Sequence, residues 1–153
     1  MQHELFSSLS FLHIFISFVT LLVLGMAAFQ ATLLHFQNRL IRTKKSTILL
    51  KFLPPLETME TFLFQITWLG FILLTASLAS ATLCVNEQYT AAQSHKICLS
   101  ALAWIVFAAL LYGHHRAGWR GPTAVRWTLV GVVLLIVAYF SSKLIFLQMW
   151  AKY

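Results

Sequence analysis

The chain of 153 residues is strongly apolar and carries few charges. Hydrophobic residues make up 59% of it, Asp, Glu, Lys and Arg together 10%, and the mean hydropathy is +0.80, whereas an average soluble domain has about 25% charged residues. A soluble helical protein with an apolar core is the alternative, but its helices would need a polar face to present to water. The composition therefore argues against a soluble protein and favours a membrane protein.

Four apolar stretches follow one another along the chain, with most of the charged residues between them. Because a helix rises about 1.5 Å per residue, about 20 mostly apolar residues cross a hydrocarbon core of about 30 Å. We therefore predict an all-α fold, a single integral membrane bundle over residues 1–153. Its four transmembrane helices are expected at about 8–36, 61–84, 96–113 and 127–148.

The first span follows Met1–Glu4 and could be mistaken for a secretory signal peptide. That segment has no basic residue, the apolar run is about twice as long as a signal-peptide core, and no A-x-A cleavage pattern precedes a soluble domain. We predict that this span is retained and enters the membrane from outside.

The basic residues are concentrated in two of the three segments between the spans, 37–60 and 114–126. Of the eleven Lys and Arg residues, eight lie there: Arg39, Arg42, Lys44, Lys45, Lys51, Arg116, Arg120 and Arg126. Positively charged loops remain in the cytoplasm. We therefore predict two cytoplasmic loops with both termini outside, and the net charge of +7 reports topology rather than nucleic-acid binding.

Several residues predict where helices end and where they pack. Pro54–Pro55 cannot continue a helix, so a helical extension of span one, or an interfacial helix such as 48–53, should end there. Gly118–Pro122 predicts a tight turn between spans three and four. Small residues let membrane helices approach closely. We expect such packing at Ala76, Ser77, Ala79, Ser80, Ala81, Gly131 and Ala138.

The two cysteines, Cys84 and Cys98, flank the predicted outer loop. They could form a disulfide in an oxidising periplasm, or they could be two buried thiols of the helix bundle. No CxxC is present, so the sequence indicates neither thiol exchange nor a CxxCH haem attachment site.

The candidate functional residues are polar side chains at membrane depth, where a charge costs about 2.5–3.5 kcal/mol on insertion scales. Four of them, on three helices, share the predicted outer end: His13, His95, Lys96 and Lys143. Lysines there could instead reach lipid phosphates, and a lone histidine could be an interface residue. Together the four suit an anionic, planar, iron-carrying ligand such as haem, with histidine as axial ligand and lysine pairing with the propionates.

At the predicted inner end, His114 and His115 close span three and His35 closes span one. Adjacent histidines on a helix point about 100° apart, so His114 and His115 cannot easily bind one metal together. Either could act alone or pair with His35, and we take His114 as the second candidate metal ligand beside His13. The alternative is an interfacial polar cap near Arg116.

Signatures of catalysis are missing from the sequence. It has four carboxylates and no Asp, so neither a carboxylate pair nor a Ser-His-Asp arrangement is well supplied. It also has no glycine-rich phosphate loop and no HExxH. We predict that the chain is not an enzyme.

A set of spaced motifs points to a known family. The motifs are Leu12–Ile14 with Ser17, Leu53–Leu56, His95–Lys96 before Leu99–Trp104, Gly113–His114 with Gly118–Gly121, and Ala138–Lys143. In this order they resemble the C-terminal half of the YpjD-like inner-membrane proteins, which belong to the cytochrome c assembly superfamily with CcsA, HemX and CcmC. The resemblance covers nearly the whole chain.

The resemblance implies a multi-span protein of the bacterial inner membrane that is associated with haem handling or cytochrome c biogenesis. By motif match, His13 corresponds to the family's outward-facing histidine at the start of a span, and His114 to the histidine before the Gly-Trp-Arg-Gly turn. The tryptophan-rich WWD segment is missing between spans two and three, and Ser141 and Leu21 replace a common glycine and tyrosine. Because relatives are about twice as long, the resemblance also implies a membrane-protein partner or a homo-oligomer that supplies further helices.

Two functions are therefore predicted as alternatives. The first is a haem-binding accessory protein of cytochrome c biogenesis. The second is a non-haem structural or regulatory subunit of another membrane complex, such as one for divalent-cation efflux, a role attached to some YpjD-like proteins.

Overall fold

A computed structural model describes residues 1–43, 47–52, 55–83 and 91–152. The helices are α1 (Gln2–Thr43), the short α2 (Thr47–Phe52), α3 (Leu56–Leu83), α4 (Ala91–Tyr112) and α5 (Pro122–Ala151), and one π-helical turn (Gly113–Ala117) extends α4. These ranges contain no β-strand. The predicted all-α fold is confirmed.

Four of these helices are long and apolar enough to cross a membrane: α1, α3, α4 with its π-helical turn, and α5. Their outer faces carry large apolar side chains, such as Phe11, Phe29 and Ile72, that are more than half exposed. Such a surface suits lipid rather than water. The chain is a multi-pass membrane protein.

The helices extend further than the predicted spans. The segment 37–60, predicted as a loop, is largely helical, because α1 continues to Thr43, α2 follows, and α3 begins at Leu56. Hydropathy detects only the part of a helix that suits hydrocarbon, whereas Arg39 and Arg42 are good helix formers that carry α1 beyond it. Pro54 lies outside the described residues, and α3 begins directly after Pro55.

The four long helices form an antiparallel bundle. α1 packs mainly against α3 and α5, and α4 packs mainly against α5 and α3. At one end, a Cβ placed on Gly121 would lie 3.8 Å from Glu60 Oε1 and 4.0 Å from Asn38 Nδ2. The α4–α5 turn, the end of α1 and the start of α3 therefore meet there, and we call this the basic end. The far end is where α1 begins, α3 ends, α4 begins and α5 ends.

The interior is filled by apolar side chains and by close approaches at small residues. Leu24, Phe107 and Leu110 are fully buried. A Cβ placed on Gly131 of α5 would lie 2.7 Å from the Phe107 ring of α4, and Ala138 is buried as well. These contacts agree with the packing predicted for α5.

The predicted small-residue cluster of α3 faces two ways. Ser77 is buried and Ser80 and Ala81 are half-buried, whereas Ala76 and Ala79 are exposed. Helical periodicity explains the difference, because residues three or four apart share a face. Only part of the predicted cluster therefore packs inside the bundle.

The turn between α4 and α5 has the predicted form. Gly118 and Gly121 adopt positive φ angles of 65° and 63°, which favour glycine. Pro122 then opens α5, where its missing N–H and fixed φ are tolerated.

Candidate functional site

A cavity of about 180 Å³ lies near the far end of the bundle. Its walls come from all four long helices, with His13 from α1, Ser77 from α3, Lys96 from α4 and Tyr139 from α5. Most of the other lining side chains are apolar. Two of the predicted site residues, His13 and Lys96, thus meet at one cavity.

The His13 ring is held by serine hydroxyls of α3. Its Nδ1 lies 2.7 Å from Ser80 Oγ, and Ser80 in turn donates a hydrogen bond of 2.8 Å to the backbone carbonyl of Ser77. The Ser77 and Ser17 hydroxyls are also 2.8 Å apart. Because Nδ1 faces Ser80, Nε2 is the ring nitrogen left for a ligand.

Other predicted residues of the far end lie at the margin of this cavity or outside it. The exposed Lys143 places its ammonium 5.2 Å from the centre of the Tyr139 ring, a cation–π contact beside the cavity wall. His95 is exposed and does not line the cavity. Cys98 is an exposed free cysteine rather than a buried thiol, and Cys84 lies outside the described residues.

His114 occupies the π-helical turn at the basic end. Its Nδ1 donates to the backbone carbonyl of Trp119 at 3.0 Å, and its ring stacks on Phe64 with centroids 3.4 Å apart. Gly113 allows this arrangement, because a Cβ there would collide with the Trp119 indole. Single π-helical turns are frequent at functional sites.

A second cavity, of about 480 Å³, lies beside His114 between α3 and the α4–α5 turn. Glu57, Glu60, His115 and Arg120 supply its polar walls. His35 lines neither this cavity nor the one at the far end. The suggested pairing of His35 with His114 has no support in these contacts.

His13 and His114 do not share a site. Lys96 at the far cavity and His114 at the basic end are 18 positions apart on α4 and its extension, which is about 27 Å of helix. Within the described residues, no group of three or more His, Cys, Asp or Glu side chains could hold a metal ion. His13 and His114 therefore lie too far apart to bind one metal ion together.

Comparison with known proteins decides the family. The chain matches the family of cytochrome c assembly proteins over residues 1–149. It belongs to that family. It is 33% identical to the inner membrane protein YpjD of Escherichia coli K12 over 129 residues, which are 84% of this chain and 48% of YpjD. No solved structure gives a significant match.

Two further relatives show the same pattern. An uncharacterised 28.8 kDa protein of Azospirillum brasilense is 33% identical over 88% of this chain and 50% of its own length. The cytochrome c biogenesis protein CcsA of Prochlorococcus marinus is 28% identical over 58% of this chain and 29% of its own length. The chain thus spans about half the length of YpjD and of the Azospirillum protein. The similarity to YpjD and the four apolar helices place it in the bacterial inner membrane.

The far cavity fits haem in chemistry but encloses only part of such a ligand. An imidazole, an ammonium group and apolar walls match the iron, the propionates and the macrocycle. Pockets for small molecules usually measure about 300–1,000 Å³. A ligand larger than the cavity would extend past the lining residues Ile14 and Phe18, which are both more than half exposed to the bilayer.

The groups that orient the two histidines were not predicted from the sequence. Ser77 and Ser80 were expected to pack against other helices, and neither Phe64 nor Trp119 was predicted to contact a histidine. The sequence did contain a signal for the contacts of His13. Ser77 and Ser80 lie three positions apart on α3, and His13 and Ser17 lie four positions apart on α1, so each pair shares one helix face. The Phe64 stack left no comparable signal in the sequence.

Proposed function

We propose that the chain is a haem-binding accessory protein of cytochrome c biogenesis, with His13 as the iron ligand at the far end. The observation that carries the proposal is the His13 ring, which lines a cavity with Lys96 while Ser80 occupies its Nδ1. Ligating histidines usually have their second nitrogen held by such a partner, which fixes the ring orientation. Membership of the cytochrome c assembly family supports the choice of ligand.

The residues of this chain would hold the cargo and orient it. His13 would supply Nε2 to the iron, Lys96 would pair with a propionate, and Ser17, Ser77 and Ser80 would fix the imidazole. We propose an assembly role and not catalysis. The basic loops support a proposed orientation in which the basic end is cytoplasmic and the far end lies outside.

His114 is the proposed second ligand, separate from His13. Its Nδ1 is bound to the Trp119 carbonyl, so Nε2 is again the nitrogen left for iron, here beside the larger cavity of the basic end. His95, Lys96 and Lys143 stay proposed cofactor contacts, and the exposed positions of His95 and Lys143 give them a weaker case than Lys96.

A partner is also part of the proposal. The described helices present a broad apolar surface, and both YpjD and the Azospirillum protein are about twice as long as the region that matches this chain. Further helices, from another membrane protein or from a second copy, would cover the open side of the far cavity. For the divalent-cation alternative, the described residues offer no group of three metal ligands.

The experiment is a titration of the purified protein, in lipid nanodiscs, with haemin. The wild type is expected to give a Soret band, and His13→Ala is expected to remove or shift the part of it that comes from haem on His13. His35→Ala is the matched control, because His35 lies on the same helix but lines neither cavity. His114→Ala should remove a separate part of the bound haem, measured as haem per chain. No band in the wild type would contradict the proposal.

A further inference from the structure

We infer that Ser80 is a positioning residue that fixes His13 in one tautomer, with the proton on Nδ1 and the lone pair on Nε2. The inference deepens the proposed function, because it states what makes His13 able to bind iron. It rests on the number of hydrogens available at two contacts, Ser80 with the Ser77 carbonyl and Ser80 with His13.

The Ser80 hydroxyl has a single hydrogen to donate. Its oxygen lies 2.8 Å from the backbone carbonyl of Ser77 and 2.7 Å from His13 Nδ1. A carbonyl oxygen can only accept, so the contact with Ser77 is a hydrogen bond only if Ser80 donates to it. That bond uses the only hydrogen of the hydroxyl.

The direction of the Ser80 hydrogen bond fixes the position of the proton on His13. Since the Ser80 hydrogen is directed to Ser77, the contact with Nδ1 is a hydrogen bond only if Nδ1–H donates to Ser80 Oγ. In a neutral imidazole one nitrogen carries the proton and the other accepts. Nε2 therefore holds the lone pair, and that nitrogen is the one left for a ligand at the cavity.

The neighbouring hydroxyls do not alter this count. Ser17 and Ser77 share a hydrogen bond of 2.8 Å between their own side chains, and neither side chain needs the Ser80 hydrogen. His114 has the same tautomer, because its Nδ1 donates directly to a carbonyl oxygen. In both proposed ligands, which lie at opposite ends of the bundle, Nδ1 thus carries the proton and Nε2 the lone pair.

The test reads the tautomer in the unliganded protein. Protein labelled with ¹⁵N and ¹³C in its six histidines is examined by solid-state NMR in bilayers at about pH 8, above the usual histidine pKa of about 6.5. The His13 signals are identified by their loss in His13→Gln. Correlations to Cγ and Cδ2 distinguish Nδ1 from Nε2, and a protonated Nδ1 with an unprotonated Nε2 is the expected result.

The variants separate positioning from general packing. Ser80→Ala removes the acceptor, so both tautomers of His13 are expected, whereas Ser80→Thr keeps a hydroxyl and should restore the wild-type spectrum. Thr82→Ala is the matched control, because the exposed Thr82 donates to the Ala79 carbonyl on the same helix rather than to His13. Haemin affinity should fall about 10- to 100-fold in Ser80→Ala and return in Ser80→Thr.

A wild-type His13 with its proton on Nε2 would overturn the inference, and this reading does not depend on whether Ser80→Ala folds. An unchanged tautomer in a folded Ser80→Ala protein would also overturn it. If the tautomer is as expected but no haem binds, the proposed function fails and the assignment of Ser80 stands.

Discussion

Gly70 of α3 packs directly on the side chain of Leu24 of α1. A Cβ on Gly70 would overlap both Cδ2 and Cγ of Leu24, and Leu24 is fully buried and cannot move aside freely. In a membrane, helix association depends on close packing of this kind, since lipid is as apolar as the side chains. This contact therefore holds together the two helices that carry His13 and Ser80.

We expect Gly70→Ala to destabilise the bundle. The added methyl group must displace a buried leucine, and overpacking of this kind costs about 1–3 kcal/mol. The same is expected of Gly131→Ala, where the methyl group would press on Phe107. Thermal unfolding in detergent, followed by tryptophan fluorescence, measures the effect.

Gly25→Ala is the matched control. Gly25 lies in α1, one position from Leu24, and a Cβ there would have no atom within 4 Å. Alanine also has the better helix propensity, so this variant should unfold at the wild-type temperature or above. Equal losses at positions 25 and 70 would show that the close approach to Leu24 does not contribute.

The basic loops predict the orientation of the bundle. A reporter inserted after Arg120 should give a cytoplasmic signal, because the turn there lies at the same end as Arg39 and Arg42 of α1. A reporter attached after Tyr153 should give an outside signal. The opposite pair of signals would place the His13 cavity on the cytoplasmic side.

Lys96 is predicted to hold haem more firmly than Lys143 does. Lys96 lines the cavity, whereas Lys143 is exposed and touches it only through Tyr139. Loss of a partly exposed ion pair costs about 0.2–1 kcal/mol, so Lys96→Ala should raise the haemin Kd about 1.4- to 5-fold without removing the Soret band. Lys143→Ala should have a smaller effect, and Lys152→Ala, the control at the end of α5, should have none.

The sequence was sufficient for the fold but only partly for the site. Long apolar runs and helix-breaking residues predicted the four spanning helices and the Gly118–Pro122 turn, because hydrophobic length and backbone freedom are local properties. Within 37–60 the lengths of α1 and α2 were not specified by the sequence, since hydropathy does not follow a helix into the interface. His13 and Lys96 were predicted to share an end of the bundle, and they line one cavity.

The contacts that orient the histidines could not be predicted in the same way. Whether Ser80 meets His13 depends on the rotation of α3 against α1, which is set by packing at places such as Gly70 and Leu24. The stack of Phe64 on His114 depends likewise on how α3 meets the α4–α5 turn. A single amino-acid sequence does not by itself specify how its helices rotate against one another.

Chemical rescue of His13→Gly by free imidazole tests the central proposal most directly. The variant removes the proposed ligand and leaves space in which imidazole can bind, while Ser80 remains to accept its N–H. We predict that haemin-treated His13→Gly loses the part of the Soret band that His13 contributes and that added imidazole restores it, whereas His35→Gly shows the full band throughout. A wild-type band in His13→Gly without imidazole would show that His13 is not the iron ligand.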